Sequence, residues 1–291
     1  MKQDLVGVTP DRDRSRYAWR LLASVLVWIQ HRLARRHLAQ GMTQLAAFSF
    51  DHIAIRINAF GQYERDELNA LIAFLVDKRL LKGACLDVGA NIGNHALFFA
   101  DHFTEVHAFE PGPRTFSLLR HNAALRLNVY CYEVGISDSI RDAHWSAPTH
   151  NIGEGAVSTK DSRDHDRHQF TVRLVDIDSL AALHDLNIGL IKIDVEGHEA
   201  AVLDGARSVI TRSSPVIVFE QQAREITNGS SPTIDRLRAL GYCNYYMFRR
   251  FPTSRWVLST VILRLLLGER CSFVPINKFE SVFHSMIVAT K

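Results

Sequence analysis

The residues of this chain best suited to chemistry are acids beside glycines. In CLDVGANIGNHALFFA, Cys85 to Ala100, a β-rich run leads through Gly89 and Gly93 into a helical pattern, and Asp87 stands just before the first glycine. The glycines let the backbone turn tightly and approach a ligand, and Asn91 or Asn94 can cap the helix that follows. Such a turn cradles nucleotide-like ligands, although a glycine pattern alone is weak evidence for any one of them. Asp87 narrows the choice. A carboxylate about 5 Å from a bound pyrophosphate would cost about 3 kcal/mol at an effective dielectric of about 20. A ligand bearing an ammonium and a sulfonium would gain from the same charge. S-adenosylmethionine carries both, and Glu110, at the end of the next β-rich run, is placed to accept its two ribose hydroxyls.

A second constellation lies in DVEGHE. Gly197 permits a tight turn there, so Asp194, Glu196 and His198 can converge on one pocket. Moving a methyl group onto a hydroxyl requires alignment of the partners, exclusion of water and removal of a proton from a weak acid. His198 is the first candidate for that base, because its ordinary pKa lies near working pH. Asp194 would orient the histidine or the substrate. Plainer roles exist for each residue. Asp87 could brace a loop, Glu110 could be a solvated strand end, and Glu196 could favour the positive end of the helix that His198 and Glu199 open. Asp87, Gly89, Gly93 and Glu110 gathered in one strand-turn-helix-strand unit favour the functional roles.

The elements that must hold these residues are short. β-rich runs at 84–88, 105–110, 129–136, 189–195 and 215–220 alternate with helical patterns at 94–102, 114–127 and 199–211. Nearly all-apolar strands alternating with helices imply a parallel sheet covered on both faces. Ahead of them a polar-apolar alternation, FSFDHIAIRI, meets AFGQYERDELNALIAFLVDKRLL, whose apolar positions recur at helical spacing. The chain divides into a basic, partly helical extension, 1–46, and a main domain, 47–291, with insertions near 138–178 and 251–280. The first insertion reads as a hairpin with strands near 143–147 and 169–175. Its loop DSRDHDRH is expected to be solvated, and no metal site is expected. In DIDSL, Asp178 or Ser179 reads as a helix N-cap. Two further strands are expected at 242–250 and 281–290.

Composition bounds the function classes. The 291 residues are 47% hydrophobic and 22% charged with a net charge of +3, too little to argue for a nucleic-acid partner. The basic excess is local, with seven arginines against two aspartates between residues 11 and 36. Cys85, Cys131, Cys243 and Cys271 show no ligand or disulfide spacing and read as buried free thiols. The run LLASVLVWIQ covers about 15 Å as a helix, about half a bilayer core, so the expected location is cytoplasmic. Peripheral membrane contact through 17–38 and 255–270 is the alternative to packing of both segments on the domain or in a homodimer. Each has tryptophan, an apolar body and flanking arginines.

LDVGANIGNHALFFA, VHAFEPGPRTFSLLRHNAAL, GISD and IGLIKIDVEGHEAAVLDGA resemble the FkbM-type methyltransferases, a class I group, from about Asp51 to Gln221. The resemblance implies an α/β fold: a Rossmann-like sheet of seven mostly parallel strands, the last antiparallel, with helices on both faces. It implies S-adenosylmethionine as cofactor and O-methylation of a hydroxyl on a sugar, glycolipid or natural product. In such a fold the ligand lies beyond the carboxyl ends of the strands. There Ser137 and Asp138 would meet the adenine and Glu220 the substrate, while Tyr63 and Glu64 would cover the cofactor. His95 departs from the family, which more usually has an aromatic there. The competing functions are a nicotinamide-dependent oxidoreductase, disfavoured by Asp87 and by the lack of GxGxxG, and a non-catalytic membrane-associated scaffold, which would have no need of this polar set.

Overall fold

In the computed structural model, residues 14–148, 155–158, 167–251 and 270–291 are described. The apolar runs form the strands their composition predicts, because only a residue covered on both faces of a sheet is apolar at every position. β1 (Ala84–Val88) and β2 (Val106–Phe109) are buried throughout, and β3 (Val129–Tyr132) is a more exposed edge. β4 (Gly135–Ile136), β5 (Arg141–Pro148), β6 (Ala156–Ser158) and β7 (Arg167–Val175) follow. β8 (Ile188–Ile193) and β9 (Val216–Gln221) return to the buried pattern, and β10 (Asn244–Phe251), β11 (Arg270–Pro275) and β12 (His284–Thr290) end the chain. The helices are α1 (Arg14–Ala39), α2 (His52–Phe60), α3 (Arg65–Asp77), α4 (Asn94–Ala100), α5 (Pro113–Ala123), α6 (Glu199–Asp204), α7 (Arg207–Ser213) and α8 (Pro232–Ala239).

The main sheet runs β11-β10-β12-β9-β8-β1-β2-β3. β12 is antiparallel to both neighbours, and β11 pairs antiparallel with β10. The other adjacent pairs are parallel, so the sheet is the expected mostly parallel one with an antiparallel end. It has eight strands rather than seven, because the 251–280 insertion contributes β11 at the edge. Strand parity sorts the core into two layers. Leu86, Val88, Ile191 and Ile193 face Val202, Ile210 and Leu237 of α6, α7 and α8, while Cys85 and Leu190 face Leu71, Phe99 and Leu119 of α3, α4 and α5. The first insertion forms a separate small sheet, β4-β7-β5-β6, in which β5 and β7 make the expected antiparallel pair.

Local chemistry overrides pattern in several places. The alternation in FSFDHIAIRI is carried by helix α2. Asp51 caps its start by accepting from Ile53 N at 2.7 Å, and Gly61, in the left-handed conformation, closes its end on Ile57 O. The 129–136 run divides between β3 and β4 in different sheets, and the 199–211 helix breaks into α6 and α7 around Gly205, where a side chain would strike the Ser137 carbonyl. Asp178 is a cap, but for a distant helix: its carboxylate accepts from Ser208 N and Val209 N at the start of α7, while Asp176 accepts from Ser179 N. Neither Asn91 nor Asn94 caps α4, whose N-cap is Gly93. Of the four thiols only Cys85 is buried, and Cys243 is exposed. The DSRDHD portion of the polar loop and the run WVLSTVILRLLLG lie outside the described residues.

Asn122, wholly buried on α5, ties the segment before α2 to the glycine turn. Its Oδ1 accepts from Ala46 N at 2.8 Å, and its Nδ2 donates to Ala46 O at 2.9 Å and Ile92 O at 2.8 Å. Asn122→Ala leaves the buried Ile92 carbonyl and the half-buried Ala46 N–H and carbonyl without this partner, at up to about 1–3 kcal/mol each. The variant should lower the urea-unfolding free energy by about 2–4 kcal/mol on that basis. A loss below about 1 kcal/mol would mean that water replaces the amide.

Candidate active site

The carboxyl ends of β1, β2, β8 and β9 open on one cleft, to which the small sheet adds residues of β4, β5 and β7. Its floor is the turn after β1. Gly89 N and Ala90 N both donate to Phe109 O at 3.0 Å, which binds the turn to β2. Gly89 has φ +78°, and a Cβ there would strike the Asp194 carbonyl, so the position requires glycine twice over. The DVEGHE turn reaches the same cleft through consecutive left-handed residues, Glu196 at φ 53° and Gly197 at φ 95°. A non-glycine residue held at positive φ is a backbone cost that surrounding structure must offset.

The expected site residues separate into lining and supporting groups. Tyr63, Glu64, Gly89, Asn91, Glu110, Asp194, Glu196, His198 and Glu220 line the cleft. Asp87, Gly93, Asn94, Ser137 and Asp138 stand behind it. Asp87 is fully buried on the α3–α5 face of β1, directly opposite Lys192 in the β1–β8 register. Lys192 Nζ lies 3.2 Å from Asp87 Oδ1, 3.4 Å from Asp194 Oδ2, and donates to Gly89 O at 3.0 Å. Burial alone would depress the lysine pKa; the charges of Asp87 and Asp194 outweigh it and hold the ammonium protonated. The Asp87 charge is therefore paired with Lys192 behind the cleft, and a cationic ligand would meet other acids.

Five carboxylates do line the cleft: Glu64, Glu110, Asp194, Glu196 and Glu220. Glu110 is engaged by the protein. Its Oε1 accepts from Gly112 N at 2.8 Å and Thr115 Oγ1 at 2.7 Å, and its Oε2 accepts from Asn91 N at 3.1 Å. A carboxylate has about four lone-pair sites, so this arrangement leaves room at Oε2 for one further hydroxyl rather than two. Burial raises the Glu64 carboxyl, but His95 Nε2 at 3.2 Å more than offsets it, and the pKa lies below the ordinary value. Asn94 braces the same segment, accepting from Tyr63 N and donating to Tyr63 O. Glu220 shifts the other way: burial, then the charges of Asp194 and Glu196, push it up to about 8 against a hydrogen bond from Gln222 Nε2.

His198 is held by a short relay. Ser137 Oγ donates to Asp138 Oδ1 at 3.0 Å and lies 2.9 Å from His198 Nε2. A hydroxyl already donating to a carboxylate accepts from the ring, so Nε2 bears the proton and Nδ1 keeps its lone pair. Arg141 holds Asp138 ionised, its pKa drawn down to about 2. Burial, with Arg141 second, lowers the His198 pKa and keeps the ring neutral at working pH.

The motifs missed three participants. Trp145, buried on β5, lines the cleft with Phe109, Ile136 and Leu174, forming its apolar part. No local pattern marked it. Lys192 stands out as the one cation inside the apolar run IGLIKIDV, and a buried cation demands a partner. His95 departs from the family pattern, and it is first among the groups that draw the Glu64 pKa down.

Lys192→Met should cost about 3–5 kcal/mol in urea unfolding, because it strands Asp87 uncompensated. The double variant Asp87→Asn/Lys192→Met should recover most of that loss. Additive single effects in the double-mutant cycle would show that the two groups are not coupled.

The model of the methyltransferase FkbM domain matches residues 87–247, more than half of the chain. Hexuronic acid methyltransferase AglP of Haloferax volcanii is 33% identical over 135 residues, which are 45% of this chain and 53% of that protein. The chain thus spans about half the length of the curated relative it matches. Among solved structures, methyltransferase FkbM from Methylobacillus flagellatus KT has 15% identity and a TM-score of 0.41, covering 72% of this chain and 43% of that one. Magnesium protoporphyrin IX methyltransferase (ChlM) from Synechocystis PCC 6803, solved with bound SAM, has 9% identity and a TM-score of 0.42, covering 84% and 86%. The match over Asp87 to Met247 identifies this chain as a member of the FkbM methyltransferase family.

Proposed function

We propose that this protein transfers a methyl group from S-adenosylmethionine to a hydroxyl of a sugar or glycolipid. The observation that carries this reading is the cleft itself, acidic on account of Glu64, Asp194 and Glu196 and apolar at Phe109, Ile136, Trp145 and Leu174. The donor set fits the cofactor, since carboxylates favour an ammonium and a sulfonium, an apolar wall favours an adenine, and Glu110 keeps a lone pair for a ribose hydroxyl. Family membership supports the same reaction, and the sugar-acid substrate in the name of the Haloferax relative supports a sugar acceptor.

When bound, S-adenosylmethionine supplies a methyl carbon already bearing a good leaving group. The chain's own residues do the rest. Asp194, held by Lys192, and Glu64, held by His95, fix negative charge where the cofactor's cations would lie. Trp145 and the small sheet exclude water from the apolar side of the cleft. His198 Nδ1 accepts the acceptor's hydroxyl proton, and the Ser137–Asp138 relay keeps the ring in the required tautomer. A neutral sugar hydroxyl suits this cleft better than a second carboxylate, which would add to the existing negative charge.

Incubation with methyl-tritiated S-adenosylmethionine and a panel of neutral and uronic glycosides tests the reading. Label should enter a product stable to mild alkali, as an ether is; alkali-labile label would point to a methyl ester instead, and no cofactor binding by calorimetry would end the proposal. His198→Ala should lower turnover roughly 10²–10⁴-fold, with cofactor affinity near that of the parent. The acid limb of kcat/KM should fall below about 6.5, the ordinary histidine value, because His198 is shifted down.

Glu220 predicts a pH dependence of binding. Protonated below about 8, it must release its proton to favour a cation beside it. Affinity for S-adenosylmethionine should therefore rise with pH toward about 8 in the parent relative to Glu220→Gln, which cannot ionise. The comparison removes the titration of the ligand's own amine. Parallel pH profiles for the two proteins would remove Glu220 from the cation's surroundings.

A further inference from the structure

The first long helix has no counterpart in the cleft's chemistry. α1 contains Arg14, Arg16, Arg20, Arg32, Arg35 and Arg36, and no Asp or Glu occurs between Arg14 and Phe50. Its apolar residues are bare: Trp19 is 70% exposed, Leu21 69% and Trp28 57%. Val25, Leu26, Val27, Trp28 and Ile29 are consecutive and all exposed. Five successive positions take in the whole circumference of a helix, so this stretch is exposed on every side. The guanidinium of Arg32 lies 4.6 Å from the Trp28 ring centroid. α2, against which α1 packs, continues the pattern with exposed Ile55 and Phe60 and with Arg56 4.7 Å from the Phe60 ring. A groove of about 400 Å³ beside the two helices has a mixed lining, with Val27, Leu38, Met42 and Ile57 next to His31 and His37.

We propose that α1, with the adjoining face of α2, is a docking surface for an anionic lipid bilayer, lying in its interface. Charge selects this occupant. A helix of arginines without acids is complementary to anionic headgroups, and tryptophans and aliphatic side chains partition into the boundary below them. A nucleic acid would satisfy the arginines but leave the aliphatic residues in water. A second copy of the helix would bring like charges together with no acid on α1 to pair them. Insertion across the bilayer is a different matter: no described helix is long and apolar enough to span one. The placement has a consequence for the cleft. His52 and Ile53, at the start of α2, line it, so a bilayer under α1 and α2 would lie close to its mouth. The surface does not depend on the reaction proposed above.

Co-sedimentation of the full chain with vesicles tests it. The protein should pellet with phosphatidylcholine vesicles containing one-third phosphatidylglycerol, remain in solution with phosphatidylcholine alone, and dissociate as salt rises from about 0.05 M to about 0.5 M. Replacing Arg20, Arg32, Arg35 and Arg36 with alanine should weaken partitioning on the order of 10²-fold or more, since each interfacial arginine contributes about fivefold. Trp19→Ala/Trp28→Ala, which leaves the charge intact, should weaken binding as well. Circular dichroism and the thermal midpoint check that both variants are folded. A full chain that stays in the supernatant, or a quadruple variant that pellets like the parent, overturns the proposal. So does light scattering that shows a dimer dissolved by the tryptophan pair, because the helix would then serve a second copy.

Discussion

The ion pair between Asp87 and Lys192 is the constraint on which the site's arrangement rests. The two residues are direct partners in the β1–β8 register, at the middle of the sheet, and both side chains are buried. Removing two charges from water is costly, and such a pair adds little net stability over apolar residues of the same shape. What it adds is position. Lys192 also reaches Gly89 O and Asp194, so one ammonium ties the glycine turn after β1 to the DVEGHE turn after β8. The two halves of the cleft, more than a hundred residues apart in the chain, are held at a common point by a charge that neither turn contains.

Around that point, similar carboxyl groups are set to different states by their neighbours. Glu64 has His95 beside it and stays ionised. Glu220, half-buried among Asp194 and Glu196, retains its proton to about 8. Glu110 spends most of its lone pairs on Gly112, Thr115 and Asn91, and so shapes the turn as much as it offers itself to a ligand. Asp138, under Arg141, is held ionised and serves Ser137 and through it His198. A mixture of charged and protonated carboxyls in one cleft can hold a cation while still exchanging a proton near neutral pH.

The small sheet lies within the family match and the N-terminal helix outside it, and they differ in how they relate to the core. The small sheet enters the site through Trp145 and Leu174 and closes its apolar side. α1 packs on α2 and otherwise presents arginines and bare apolar residues outward. The first is part of the cleft wall; the second is a surface element whose composition suits lipid.

Much of this molecule was determined by its sequence alone. Nearly all-apolar runs of four to six residues alternating with helical patterns favour buried parallel strands, so β1, β2, β8 and β9 fall close to where composition places them. Gly89 and Gly197 mark the two turns of the site, and the acids around them announce a cleft that favours cations. Tertiary structure decided the facing. Asp87 and Asp194 look alike as acids at the ends of apolar strands, yet one is sealed behind the sheet and the other lines the cleft. Position along the strand made that choice: Asp87 lies inside β1 opposite Lys192, whereas Asp194 falls just past the end of β8. The caps Asp51 and Gly61 turned an alternating segment into helix α2, Asp178 found its helix thirty residues away, and Trp145 reached the cleft only because β5 and β7 fold over it. Local pattern reports what a residue wants to be surrounded by. Which residue supplies that surrounding is settled by register and packing between segments distant in the chain, and a short stretch of sequence holds no record of them.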